Sequence, residues 1–306
     1  MDDGTNNSNN SNDINIIELI SYFWKKKLTI ISITGIAAII SVIYSLSLPN
    51  IYTSSTLVAV ANEKSSLSSK LGGYSSIAGL AGISIPRESN NSLEAIERIK
   101  SFDFFSEHFL PYIKLENLLA IKEWNPENNT ILYDEKIFNN NSKKWIREKL
   151  PTIPSNQEAY REYKDILTIY EDNKTLFVTI SIDHQSPHIA KKWVEIIVKN
   201  INESMRNIDK KNALDSINFL NKEVENTNLK ETKEAISKLV ESQLQNLMLT
   251  SASESYVYKT LNAPIAPEKK TSPSRAIICI LITFLGGVLG IFVAFIQFYR
   301  NEIDAK

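Results

Sequence analysis

The sequence predicts an α/β membrane protein: two transmembrane helices flank an α/β base domain from which a very long helix protrudes. Three observations carry this. Two uncharged apolar runs lie near the two ends of the 306-residue chain. The stretch between them mixes β-branched runs with helical periodicity. From Pro187 to Ser253 an apolar stripe at three- and four-residue spacing continues without a further glycine or proline.

Taken in order, the first 13 residues, "MDDGTNNSNNSND", are polar and apolar-poor, a composition that stays disordered. "INIIELISYFW" then forms a short amphipathic helix, which either lies along the membrane face or extends the first span. Residues 1–27 make up the N-terminal tail. Leu28–Leu48 is uncharged, and at about 1.5 Å per residue it reaches roughly 30 Å, the thickness of a bilayer's hydrocarbon core. In lipid a segment must satisfy its own backbone hydrogen bonds, so it is a helix. Its apolar part exceeds the roughly 7–15 residues of a cleaved signal, and the expected state is an uncleaved anchor. The second run, 276–297, has the same character and is followed by a short tail, 298–306. Counting lysine and arginine around both spans favours cytoplasmic termini only slightly. The compact Lys25, Lys26, Lys27 cluster decides the orientation.

Residues 49–275 are long enough for one domain with a real core. Within it, 51–61 reads as a strand leaving the membrane, and the Ser/Gly/Ala-rich 63–84 as a flexible loop. A helix is expected over 92–110 from an apolar period near 3.6 and a Ser92 cap. The stretch 111–154 is irregular, and a short helix covers 156–166. "ILTIYEDNKTLFVTISID" is a hairpin turning around Glu171–Lys174. Ser186 as cap and Pro187 in the first turn start the long helix, about 187–252, which either runs unbroken or breaks or bends near Asn226–Asn228. "SESYVYKTLNAP" is a returning strand, expected to pair with the strand after the first span. The proline-rich segment 263–275 follows; Pro264, Pro267 and Pro273 hold it extended, because proline neither continues a helix nor donates to a ladder.

Chemistry-bearing patterns are missing. There is no G-x-x-x-x-G-K-S/T, no H-E-x-x-H and no G-x-S-x-G. Asp183, His184 and His188 look like a ligand cluster, but Pro187 prevents one helix from carrying both histidines. Cys279 lies inside the second span, where it offers neither a disulfide nor an accessible nucleophile. No catalytic residue, cofactor, metal or nucleic-acid partner is expected, and the protein is read as a non-enzyme. Gly286 and Gly290 form G-x-x-x-G in the second span, which permits close helix approach.

Four stretches together resemble the Wzz family of bacterial chain-length determinants, the polysaccharide co-polymerases: "DINIIELISYFWKKKLTIISI", "SLEAIERIKSFDFF", "VTISIDHQSPHIAKKWVEIIVKNI" and "YVYKTLNAPIAPEKKTSPSRAIICILITFLGGVLG". Their order and spacing carry the resemblance; 111–154 matches nothing in it. The resemblance implies an inner-membrane protein with 49–275 in the periplasm and both termini cytoplasmic. It implies a homo-oligomer that sets the modal length of a lipid-linked polysaccharide, with a membrane polymerase and the growing polymer as its expected partners. The chain stops at Lys306 without a tyrosine-kinase module, which points to the lipopolysaccharide O-antigen type. An amphipathic stripe needs a partner, so Leu214, Ile217, Leu220 and Val224 are interface candidates between copies. The rival expectations are an adaptor or scaffold of an envelope transport complex and a membrane-anchored ligand sensor.

Overall fold

The computed structural model describes residues 16–61, 88–252 and 255–304. The expectations for the polar N-terminus and for the Ser/Gly/Ala-rich loop fall outside the described residues. The chain divides into two compact units: Met1–Asn50 with Ser272–Lys306, and Ile51–Thr271.

The first unit is built from three helices. α1 (Ile16–Lys25) runs on into α2 (Lys27–Ser47) through Lys26, whose N–H still donates to the Tyr22 carbonyl at 2.9 Å. It is therefore an extension of the first span. The last helix, Arg275–Asp304, lies against α2, and Phe298 near its end meets Tyr22 edge to face at 5.2 Å. Lys27–Ser47 and Arg275–Arg300 are each long and apolar enough to cross a membrane.

In the second unit β1 (Tyr52–Val60) comes first. α3 (Glu88–Lys100) ends where Ser101 turns its backbone extended and its hydroxyl accepts the Phe104 N–H at 3.2 Å. The single helix expected over 92–110 is thus cut in two, because a serine can satisfy helix-end N–H groups from outside the helix. The following turns, Phe102–Tyr112, include a five-residue π turn that keeps both Phe105 and Phe109 fully buried. α4 (Leu115–Leu119) leads to two small hairpins: β2 (Ile121–Asn125) with β3 (Thr130–Tyr133), and β4 (Phe138–Asn139) with β5 (Lys144–Trp145). The region expected to be irregular therefore has order of its own, supplied by Asn-rich turns. α5 (Asn156–Ile166) starts at Ser155, whose hydroxyl accepts the Glu158 N–H.

β6 (Leu167–Glu171) and β7 (Val178–His184) form the expected hairpin, and Asp172 accepts the N–H groups of Lys174 and Thr175 in its turn. α6 (Pro187–Asn226) and α7 (Lys230–Ala252) follow, then β8 (Tyr258–Asn262), and α8 (Arg275–Asp304) closes the chain. The main sheet is antiparallel with order β6-β7-β1-β8. Strand period places Val178, Ile180, Ile182 and His184 opposite Val58, Thr56, Ser54 and Tyr52 on one face. Against that face pack α3, the phenylalanine turns, α5 and the first half of α6, with Ala190, Trp193, Val194, Ile197, Ile201 and Met205 buried at helical spacing. The other face shows serines and threonines, as expected of a sheet covered on one side.

One continuous helix over 187–252 does not form. Thr227 is extended (φ −101°, ψ 139°), and Asn226, Thr227 and Asn228 are weak helix formers at the point where the apolar stripe weakens. α6 alone is about 60 Å long. α7 then folds back along it, which returns Tyr256 to Asp209 and Tyr258 to Asn202 in the middle of α6. The protruding part is a helical hairpin. Ser186 caps it only with its carbonyl, which accepts the Ala190 N–H; its side chain makes no cap bond.

Candidate functional site

The proline-rich segment is built onto β1 rather than hanging free. Beyond β8 it has no ladder, since prolines interrupt the donors. β1 compensates with side chains: Thr56 donates its hydroxyl to the Asn262 carbonyl at 2.7 Å, and Ser54 donates to the Ile265 carbonyl at 2.7 Å. Further along, the Thr271 N–H donates to the Ile51 carbonyl at 2.8 Å, and the Thr53 N–H donates to the Thr271 hydroxyl. The segment thus runs antiparallel beside β1, and the two ends of the 51–271 unit are fastened together. Pro264 is buried in this seam, and Pro267 and Pro273 are half-buried. Sequence alone points to the prolines; it does not identify the hydroxyl row on β1 that receives them.

β8 is held from the other side by a residue that sequence reading missed. Asn202 is 6% exposed and lies on α6. Its Oδ1 accepts the N–H groups of Val257 (2.7 Å) and Tyr258 (2.9 Å), and its Nδ2 donates to the carbonyls of Tyr258 and Val198 at 3.0 Å. The Tyr258 hydroxyl donates to the Ser92 carbonyl on α3 at 3.0 Å, and burial raises its pKa to about 12. The Tyr256 hydroxyl bonds Asp209. An asparagine and a serine (Asn202, Ser204) beside the buried Ile201 and Met205 are the signal that could have exposed this clamp.

In the hairpin, Ala213, Ser216, Ile217, Leu220 and Val224 of α6 are covered, as are Thr232, Ile236, Val240, Gln243, Gln245, Leu247 and Thr250 of α7. Ile217, Leu220 and Val224 therefore line a seam within one copy. Leu214 points elsewhere and is 40% exposed, on a surface that also shows Phe219 at 62%. In the first unit, α2 and α8 touch through small residues. A Cβ on Gly286 would overlap that of Ala37, and one on Gly290 would lie 3.2 Å from the Ile30 backbone. Ser41 and Ser45 of α2 and Ala294 of α8 are buried. At one end of the pair, Arg275 donates to the Leu48 carbonyl and the Asn50 side chain.

Asp183, His184 and His188 each have a structural partner. His184 is buried: its Nδ1 accepts the Ser186 N–H at 2.9 Å, and its Nε2 donates to the Asn117 carbonyl at 2.9 Å. Burial pushes its pKa down, opposed by its backbone hydrogen bonds. Asp183 accepts the Thr53 hydroxyl at 2.5 Å, and His188 stacks edge-on to Trp124. The three candidate ligands do not converge. Among the described residues no group of three or more His, Cys, Asp or Glu could hold a metal. Arg147 bonds Glu158 and holds its carboxyl below the usual range.

These features define a class: a protein with two candidate membrane spans and an α/β unit that is closed by a returning strand and fastened along seams. Residues 12–108, about a third of the chain, match the family model of the Wzz chain length determinant protein. The match covers α1, α2, β1 and α3 and stops before the helical hairpin and the proline seam. Comparison with curated protein sequences found no match. Among the solved structures that it resembles are the following three. A full-length bacterial polysaccharide co-polymerase is 16% identical at TM-score 0.43, covering 95% of this chain and 99% of its own. A fragment of WzzB, a polysaccharide co-polymerase from Salmonella Typhimurium, is 16% identical at TM-score 0.32, covering 73% and 100%. A mutant of the Shigella flexneri lipopolysaccharide O-antigen chain-length regulator is 13% identical at TM-score 0.25, covering 72% and 100%.

Proposed function

We propose that this protein sets the modal chain length of a lipid-linked surface polysaccharide, of the O-antigen type, as a non-catalytic partner of an inner-membrane polymerase. It acts as a homo-oligomer with both termini in the cytoplasm and residues 49–275 in the periplasm. The single observation that carries this reading is the family match over residues 12–108, which includes the first span and the first strand and helix beyond it. The seams support it physically. A regulator without chemistry of its own must act through shape, and here the returning strand, the proline segment and both spans are each fixed by short contacts.

The test is genetic. Deleting the gene leaves polymer synthesis intact and replaces a clustered length distribution with an unclustered ladder on a gel. Unchanged banding sinks the reading. Within it, the proline segment couples the α/β unit to the bilayer. Pro267→Ala or Pro273→Ala therefore shifts the modal length at normal expression, and a normal distribution in both counts against that coupling.

A further inference from the structure

One concavity in the 51–271 unit belongs to none of these seams. It measures about 300 Å³ and lies among α4, the β4–β5 hairpin and α5, in the part of the chain outside the family match. Leu118, Leu119, Ile137 and Pro154 line it with apolar surface, and Trp145 adds an indole. The indole is fixed by an edge-to-face contact with Phe138 at 5.2 Å. Arg147, 10% exposed, donates from Nε to the Thr152 carbonyl (3.0 Å), from Nη2 to the Pro151 carbonyl (2.7 Å) and from Nη1 to Glu158. This leaves no guanidinium charge free for an anion, because Glu158 already balances it. Glu158 Oε1 takes the bonds from Arg147 and Lys149, and among the described residues nothing donates to its Oε2. Glu162, exposed at the rim one turn further along α5, has no partner among the described residues.

An ionised carboxylate only accepts hydrogen bonds, and an aromatic face takes apolar surface. Acceptor oxygens beside an indole and apolar side chains suit a molecule with hydroxyl donors on its edge and C–H groups on its face. A pyranose ring has that pattern. Glu158 and Glu162 are balanced by Arg147 in the lining and by Lys149 on Glu158, so the site offers a uronate or phosphate no net attraction and favours a neutral ring. The volume stands at the small end of ligand sites, room for one or two rings.

We propose that this concavity is a subsite for neutral pyranose residues of the glycan, with Trp145 as stacking face and Glu158 and Glu162 as hydroxyl acceptors. It rests on the chain-length reading and deepens it: each copy holds a short piece of the polymer whose length the assembly sets. The test uses the purified full chain in lipid nanodiscs and saturation-transfer NMR. The probes are the methyl glycosides of glucose, galactose and N-acetylglucosamine, with the glycoside of glucuronic acid as the acidic control. Transfer to at least one neutral glycoside is expected, exceeding that to the glucuronide. Trp145→Ala weakens it about fivefold, the loss of a stacking contact of about 1 kcal/mol, while Trp145→Phe keeps most of it. Glu162→Gln, at an exposed position that leaves the fold intact, also weakens it. No transfer to any neutral glycoside, equal transfer in Trp145→Ala and Glu162→Gln, or preference for the glucuronide overturns the proposal. The gel separates the two readings. If gene deletion randomises chain length while both variants band and bind like wild type, the subsite fails and the chain-length role stands. If deletion leaves banding unchanged, the chain-length role itself fails.

Discussion

Asn202 offers the sharpest energetic test of how the returning strand is held. Replacing it with alanine removes the acceptor for the N–H groups of Val257 and Tyr258, residues that are 2% and 0% exposed. A buried donor left unsatisfied costs about 1–3 kcal/mol, so two of them cost about 2–5 kcal/mol once partial relaxation is allowed. The lost Nδ2 bonds to Tyr258 and Val198 add to the same side. For a unit of this size each kcal/mol lowers the melting temperature by about 2–4 °C, which gives a fall of about 5–15 °C. The assay is thermal unfolding of the detergent-solubilised protein. Asn207→Ala, at an exposed position on the same helix, is the control and stays within about 0.5 kcal/mol of wild type. Asn202→Asp keeps an acceptor for both N–H groups but turns a second oxygen toward two carbonyls, and it falls between the two. A loss under about 1 kcal/mol in Asn202→Ala refutes the reasoning, because it shows that water or a small shift serves the strand as well as the asparagine does.

Further outcomes follow from the other seams. Gly286→Leu must push α2 and α8 apart at Ala37, costing about 1–3 kcal/mol; thermal unfolding in detergent checks it, and an unchanged melting temperature contradicts the close approach. Leu220→Ala lowers stability by about 1–2 kcal/mol because it thins the α6–α7 seam, whereas Leu214→Asp leaves the melting temperature in place and reduces particle mass in light scattering if its exposed face meets another copy. His184 is neutral in the fold with its pKa pushed down by burial, so the unfolded chain binds more protons as pH drops below about 6.5. Stability therefore falls on acidification from that point and levels off below the folded-state pKa; His184→Gln removes this component, and a slope that persists in the variant assigns it elsewhere.

The sequence declares the parts that rest on local chemistry. Uncharged length locates both spans, alternation locates β1 and the β6–β7 hairpin, and the Ala190–Met205 stripe locates the helix on the sheet. What it hides is who partners whom. The stripe Ile217, Leu220, Val224 has the same spacing whether its partner is a second copy or the same chain folded back, and only the geometry after Asn226 reveals α7 in that place. Gly286 and Gly290 permit a close approach without naming the approaching helix. Ser54, Thr56 and Asn202 read as ordinary polar residues, because their bonds reach across more than fifty positions of sequence. The Trp145 concavity is assembled from α4, a hairpin and α5, and no spacing in a linear sequence announces it.

The most direct measurement for the whole account is the polysaccharide length distribution of a strain lacking this gene, separated on a gel beside the parent and a strain complemented with the full chain. The account predicts that the parent's modal cluster dissolves into an unclustered ladder at undiminished total polymer and returns on complementation. A deletion strain whose cluster keeps its position and sharpness, or one that makes no polymer at all, contradicts it.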